Sequence, residues 1–430
     1  MKSVLISTWA LLVGFSFVLT SVGLQGPLVA LRAFDEGFDT SDTGLVMAGM
    51  FAGYLLGALI APPLIRHVGH VKVFAAAASL GSGSVLLFMV FADPLVWLAL
   101  RVVNGCSIAT ICVVTEAWLN QSSSNEVRGK IMNLYAMICN IGLGAGALLL
   151  NLGDPRGVAL FILCSLLISF GIVPVLLSAR PAPTFERPKR LGFVAMFRRS
   201  PIGVGAIFLA GFAVGALVAA SPIFADKSGL TTAEVSIFVA TIFLGSLIFQ
   251  WPIGYLADRF DRIKVLVAVV MSAALLALLL SVTPLDLGVL VYLLIGLFSG
   301  LCLSLYALCS AITNDHLERD EMVGGGMTLY ICYSVGATIG PVLVTELMEA
   351  WRASAFFYFL AGVCLLIAAY AVALRSGHRA ANTGAGRATR DMDYRHSHWI
   401  IPGGMDQPSE TERTSKRPLQ SRKDQDSREQ

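Results

Sequence analysis

Charged residues are scarce in this chain. Asp, Glu, Lys and Arg make up 14% of its 430 residues, against 56% hydrophobic. A soluble globular domain carries about 25% charged residues, so a soluble chain of this composition would leave much of its surface uncovered. The shortage excludes a cytosolic enzyme, a disordered scaffold and a nucleic-acid-binding module, and a net charge of +3 is too small to attract a polyanion. Paired cysteines are missing as well. The eight cysteines (Cys106, Cys112, Cys139, Cys164, Cys302, Cys309, Cys332, Cys364) fall inside apolar runs, with no CxxC pair and no Cys/His cluster at metal-ligand spacing. They read as small apolar residues buried among helices, and neither a metal nor a cofactor is expected. No phosphate-binding P-loop is present, which excludes ATP hydrolysis by this chain.

What the sequence has in abundance is long apolar runs. A membrane-spanning helix needs about 20 mostly apolar residues, with its backbone hydrogen bonds made internally. Twelve runs qualify, near 5–30, 43–65, 71–92, 94–119, 130–152 and 157–178, then 201–225, 231–257, 263–283, 286–312, 323–350 and 352–374. The first, from Val4 to Leu31, is too long for a signal-peptide core of about 7–15 residues and reads as a retained span. With the N-terminus inside, fifteen Lys and Arg of residues 1–374 face the cytoplasm and four (Arg32, Arg156, Lys227, Arg352) face out. By the positive-inside rule both termini and the central linker are cytoplasmic, which places the chain in the plasma membrane, or the inner membrane of a Gram-negative cell. The expected organisation is a six-helix bundle (1–178), a linker (179–200), a second six-helix bundle (201–374) and a tail (375–430). The tail holds eleven basic and eight acidic residues with few aliphatics, so it is expected to be disordered.

The two halves repeat. Pro27 and Pro222, Gly105 and Gly300, and Gly129 and Gly324 are each 195 positions apart; Gly142 and Gly336, and Gly146 and Gly340, are 194 apart. Parallel six-helix halves with a site between them near the membrane midplane are one plan of secondary transporters.

The junction after the eighth span reads GYLADRFDRIKVL, with Gly254, Asp258, Arg259, Asp261, Arg262 and Lys264. Such charge either holds neighbouring helices through ion pairs that change between two states, or merely anchors the helix ends. This string resembles the signature loop of the major facilitator superfamily, usually written GxLADRxGRRxxL. The first-half counterpart, Ile65 to Phe74, keeps Gly69 but has Arg66 where the family usually has an acid. Arg101 and Gly105 resemble its RxxxG pattern, and Gly336, Gly340 and Pro341 its GxxxGP pattern. The resemblance covers residues 1 to about 374, and the strings RHVGHVKVFA, TEAWLN and QWPIGYLADRFDR are most similar to the YcaD-like branch. It implies an all-helical integral membrane fold of twelve spans in two pseudo-symmetric bundles. It also implies a cavity lined mainly by the first, fourth, seventh and tenth spans, opened to one side at a time.

Candidate residues are placed against that plan. Arg101 lies about 10 Å into the fourth span; a charge there marks a functional site by default, the alternative being snorkelling to the headgroups. Gln25, Asn104, Asn140 and Gln250 either face the cavity or hydrogen-bond a neighbouring helix. Tyr306 and Tyr333 are candidates to stack on a substrate. Arg66, Gly69, Asp258, Arg259 and Arg262 are candidates for gating. Arg66 has Glu321 or Asp320 as expected partners. Glu116 is either a proton carrier or, as the favoured reading, a gating partner for His67, His70 or Lys72. The chain thus reads as a monomeric secondary transporter of a small organic molecule, an exporter, with protons as the candidate coupling ion. A non-transporting sensor or an intramembrane enzyme is the alternative.

Overall fold

The computed structural model describes residues 2–177, 192–318 and 321–396. Among the described residues the chain is helical throughout, and twelve helical segments are long and apolar enough to cross a membrane. The first half comprises α1 (Lys2–Asp35), α2 (Thr40–Val68), α3 (His70–Leu87), α4 (Pro94–Ser122), α5 (Asn125–Leu148) and α6 (Ala159–Leu177). A short α7 (Phe193–Arg199) then precedes α8 (Pro201–Lys227), α9 (Thr232–Arg259), α10 (Arg262–Val282), α11 (Val289–Leu303), α12 (Leu305–Asn314), α13 (Met322–Ala350) and α14 (Ala355–His396).

Local chemistry sets the boundaries. The third span stops at Leu87, short of the expected residue 92, because Asp93 caps the next helix. Its carboxylate accepts from the N–H groups of Leu95 and Val96, both at 3.0 Å, and Pro94 occupies the first helical turn. The tenth span, expected as one helix, is α11 and α12 broken at Ser304. The Ser304 hydroxyl donates to Leu301 O at 2.7 Å, a local bond that competes with the helical ladder. The expected linker contains α7, and residues 178–191 lie outside the described residues. The tail expected to be disordered begins as helix: α14 runs to His396, through a stretch rich in Ala and Arg, which favour helix without a core. The rest of the tail, 397–430, lies outside the described residues.

The repeat seen in the sequence is a repeat of packing. In the first half α2 packs on α4, and α1 on α5; in the second α9 packs on α11, and α8 on α13. The paired glycines sit at these crossings. A Cβ on Gly105 would overlap the Met50 carbonyl of α2, and one on Gly300 would lie 3.0 Å from the Gly245 carbonyl oxygen of α9. A Cβ on Gly146 would overlap Thr20 O of α1, and one on Gly340 would overlap Phe212 O of α8. Within lipid there is little hydrophobic drive between helices, so close backbone approach at small residues supplies the packing. Gly146→Val should therefore lower the thermal stability of the purified protein by about 1–3 kcal/mol, read as a lower unfolding temperature in detergent. Unchanged melting would show that α1 and α5 can part without loss.

The α2–α13 and α5–α9 contacts join the halves. The described residues up to 377 form one compact unit that holds all twelve spans; the described residues from 378 belong to a second. An even number of spans brings the start of α1 and the end of the twelfth span to one end of the bundle, called here the terminal end; the opposite is the far end.

Candidate functional site

Arg101 does not snorkel. It is fully buried between α4 and α2, where Nη2 donates to Met47 Sδ at 3.0 Å and Nη1 to Met50 Sδ at 3.6 Å. α2 comes this close because Gly49 and Gly53 face α4; a Cβ at Gly49 would lie 3.1 Å from that of Arg101. Thioethers are weak acceptors, Nε has no acceptor, and among the described residues no carboxylate pairs with the guanidinium.

Two of the amides expected near the cavity are packing groups instead. Gln25 is 1% exposed and donates to Ser21 Oγ at 3.0 Å, which in turn donates to Cys164 O, tying α1 to α6. Asn104 is fully buried and donates to Gly81 O (3.3 Å) and Ser84 Oγ (3.2 Å), tying α4 to α3. Asn140 donates to Ala136 O of its own helix at 3.1 Å. The Gln250 side chain lies outside the described residues.

Tyrosines line the interface between the halves. Tyr306 of α12 meets Tyr333 of α13 edge-on, ring centres 5.1 Å apart, and Tyr330 at 6.5 Å. Tyr54 of α2 lies within electrostatic range of Tyr330 and Tyr333, and Tyr135 of α5 within range of Tyr330, so tyrosines of both halves lie near one another. All five are half-buried. The hydroxyls of Tyr54, Tyr306, Tyr330 and Tyr333 make no hydrogen bond among the described residues and so remain free to serve a guest. Tyr54, Tyr135 and Tyr330 escaped the sequence reading, because an aromatic in a span is usually packing. The similar depth of Tyr135 and Tyr330, about 15 and 12 Å from the helix ends, was the signal available; Tyr54, about 21 Å deep, carried none.

Glu116 lies at this site. It is exposed, and within electrostatic range of Tyr135 and Cys139 of α5 and of Tyr306 across the interface. It makes no ion pair or hydrogen bond among the described residues, so the expected gating pair is not formed. His67 bonds Pro63 O at 2.6 Å, and the His70 ring sits edge-on to Trp118.

The gating candidates divide. Gly69 joins α2 to α3 with φ +87°, a left-handed conformation suited to glycine. Arg66 is exposed and not paired with Glu321, because Arg199 of α7 holds that carboxylate; Asp320 lies outside the described residues. Glu321 holds the exposed Arg199 guanidinium above its ordinary range through that hydrogen bond and its charge. Asp258 is largely exposed and only 3.5 Å from Arg262. Arg262 donates to Asp258 Oδ1 across that distance, and also binds Asp315 and donates to Ala311 O at 3.1 Å, joining the α9–α10 junction to α12. Arg259 bonds the Tyr255 hydroxyl. The neighbouring Asp261, not singled out for gating, caps α10 and pairs with Arg375 at 2.8 Å. Burial presses its carboxyl upward, but the Ile263 and Lys264 N–H groups and the Arg375 charge outweigh this and hold it below the ordinary range. These pairs stay within the second half.

Among the described residues three hydrogen bonds join the halves, all at the far end. Lys227 of α8, paired with Glu349 at 2.7 Å, donates to Thr40 Oγ1 of α2 at 2.6 Å. Asn151 donates to Ser236 Oγ at 2.8 Å, and Ser236 to Ala147 O at 3.0 Å. Gly44 of α2 abuts Thr345 of α13 so closely that a Cβ would overlap the threonine side chain.

A cavity of about 610 Å³ lies near the terminal end, lined by Leu59 of α2, α7 and the faces of α8 and α13 around Phe208 and Ile331. Its lining is almost wholly apolar. Tyr330 and Tyr333 point roughly 140–200° around α13 from Thr328 on its wall, so this cavity is separate from the tyrosine site.

Known proteins agree with this architecture. The sequence pattern of the Major Facilitator Superfamily matches residues 11–310 and 203–421. The MFS-type transporter YcaD of Escherichia fergusonii is 26% identical over 364 residues, spanning 83% of this chain and 92% of its own. An MFS-type transporter of Yersinia enterocolitica is 26% identical over 365 residues with the same coverage. Among solved structures, a mutant of the nucleoside transporter NupG superposes with a TM-score of 0.73 at 14% identity, covering 85% of this chain and 99% of its own. A D-xylose-proton symporter superposes with a TM-score of 0.68 at 12% identity, covering 85% and 96%. The chain belongs to the Major Facilitator Superfamily: it is a secondary transporter resembling the YcaD-like branch, and not an enzyme.

Proposed function

We propose that this transporter exports a small organic molecule by alternating access, with protons as the coupling ion. The single observation that carries the reading is the tyrosine-lined interface between two pseudo-symmetric halves, tied together at the far end and holding a carboxylate, Glu116, that is unpaired among the described residues. The fifteen-to-four distribution of basic residues supports a cytoplasmic terminal end, so the far-end contacts are those of a state closed to the outside, from which an exported molecule would load. Glu116 is the proton carrier and Arg101 supports the coupling. One chain carries both halves of the site, which supports a monomer in the plasma membrane.

The test is flux in proteoliposomes under an imposed pH gradient, with a panel of neutral, anionic and cationic compounds. Substrate-dependent proton movement supports the reading. Flux indifferent to the gradient would remove the proton, and no flux with any compound would favour a non-transporting sensor. Orientation has its own check: reporter fusions after residues 190 and 380 should read cytoplasmic, and one near Asp154 external. An external signal at the linker would reverse the proposed direction.

A further inference from the structure

We propose that the tyrosine site selects a monovalent organic cation, and that the Glu116 carboxylate holds either that cation or a proton, so that the two exchange one for one. This rests on the transporter reading above and adds the substrate class.

Glu116 is the acid set furthest from a helix end in the described spans, six residues before the end of α4 at Ser122. Other acids, such as Asp42, Asp226, Glu234, Asp258 and Glu349, sit within about one turn of an end. At 1.5 Å per residue Glu116, Tyr135, Tyr306 and Tyr330 all lie about 9–15 Å from the terminal end, so carboxylate and rings share one level. A carboxylate unpaired among the described residues, within electrostatic range of Tyr135 and Tyr306 at the same level, is a complementary environment for a cation, which aromatic rings attract through their quadrupoles. The other charge classes fit poorly. An anion would meet Glu116, while the buried cation nearest to offsetting it, Arg101, is turned into the α2–α4 contact. A polyhydroxylated guest needs several amide and charged partners, yet Gln25 and Asn104 are committed to helix packing. The free tyrosine hydroxyls suffice to orient a largely apolar cation.

Exchange follows from there being one carboxylate. A proton on Glu116 removes the charge that holds the cation, and a bound cation disfavours the proton; by linkage each weakens the other equally. The titratable groups around Glu116 are Cys112 on its own helix, Tyr135 and Cys139 on α5, and Tyr306 on α12. His67 and Arg66 on α2 and His70 and Lys72 on α3 lie at the same end. The two histidines are therefore tested alongside Glu116.

The experiment measures binding of tetraphenylphosphonium, ethidium and tetramethylammonium to the purified full-length protein in detergent, from pH 5.5 to 8.5, with neutral triphenylphosphine oxide as the comparison. At least one cation should bind more tightly as pH rises, by up to about tenfold per unit while Glu116 is protonated. Glu116→Gln should weaken it at least tenfold and flatten the pH dependence, with an unchanged melting curve. Glu116→Asp, His67→Gln and His70→Gln should each keep the slope. Binding that is equal and equally pH-dependent in Glu116→Gln overturns the proposal, as does failure of all three cations to bind, or tighter binding of the neutral compound. Gradient-driven flux of a neutral compound in proteoliposomes alongside any of those results would leave the transporter reading standing and remove only the cation.

Discussion

Arg101→Met is expected to abolish transport and at the same time make the protein more stable. The side chain is fully buried, is held by two methionine sulfurs, and has no carboxylate partner among the described residues. A charge in that position carries a desolvation penalty that weak thioether contacts offset only in part. Methionine ends about where Nε lies, so it removes the penalty and keeps the packing of the stem while leaving the space beside Met47 and Met50 partly unfilled; by analogy with buried ion pairs replaced by apolar groups the net gain is about 1 kcal/mol. If the arginine served only packing, its replacement would improve stability at no functional loss. Retention of so costly a group is explained by a role in another state of the cycle, where its unused Nε and its charge find a partner. Arg101→Ala should also silence transport at near-normal membrane abundance, though its cavity offsets the stability gain. Arg101→Lys should restore part of the activity, since it keeps the charge without the planar fork. Thermal unfolding and proteoliposome flux on the same preparations decide the matter. Full flux in Arg101→Met would make the residue a structural relic, and a large drop in melting temperature would mean that the methionine contacts bind the charge more strongly than argued.

The sequence carried most of the fold because each span is a long apolar run, and length against bilayer thickness counts them without knowledge of packing. It also carried the repeat, since glycines at helix crossings keep their spacing when the crossings repeat. It could not carry the break at Ser304, which is one hydrogen bond inside an unbroken apolar run. Nor could it assign polar side chains to faces. Gln25 and Asn104 look like cavity residues until the neighbouring α6 and α3 are seen to take their hydrogen bonds. Arg66 lost its expected partner for a reason no local pattern contains: α7, formed inside the expected linker, delivers Arg199 to Glu321. Glu116 was legible as a charge in a span but not as an unpaired one, because pairing depends on which way the histidines at the adjacent junction turn.

Gly44→Ala should stop transport by preventing closure at the far end. There α2 and α13 make their tight crossing, and a single added carbon would overlap both the hydroxyl and the methyl of Thr345. Thr345 cannot swing away cheaply, since its hydroxyl already donates to Pro341 O at 2.8 Å and the residue is fully buried. The nearby link from Lys227 to Thr40 depends on the same approach of α2. That link is a part-buried hydrogen bond which parent and variant both offer the closed state, whereas the steric overlap, about 1–3 kcal/mol in a packed seam, falls on the variant alone. The equilibrium therefore moves toward the state open at the far end by roughly five- to a hundredfold. The first half keeps its own packing, because the crossing touched is the one between halves, so membrane abundance should hold. A reporter cysteine replacing Ser236, which itself forms the other far-end contact, should react faster with a membrane-impermeant thiol reagent in Gly44→Ala than in the same cysteine variant without it. Thr345→Gly in the same chain removes every atom the new carbon meets and should restore closure and flux together. Full flux in Gly44→Ala alone would show that the seam has slack. Failure of Thr345→Gly to restore closure, with the protein still folded, would place the defect elsewhere than in this contact.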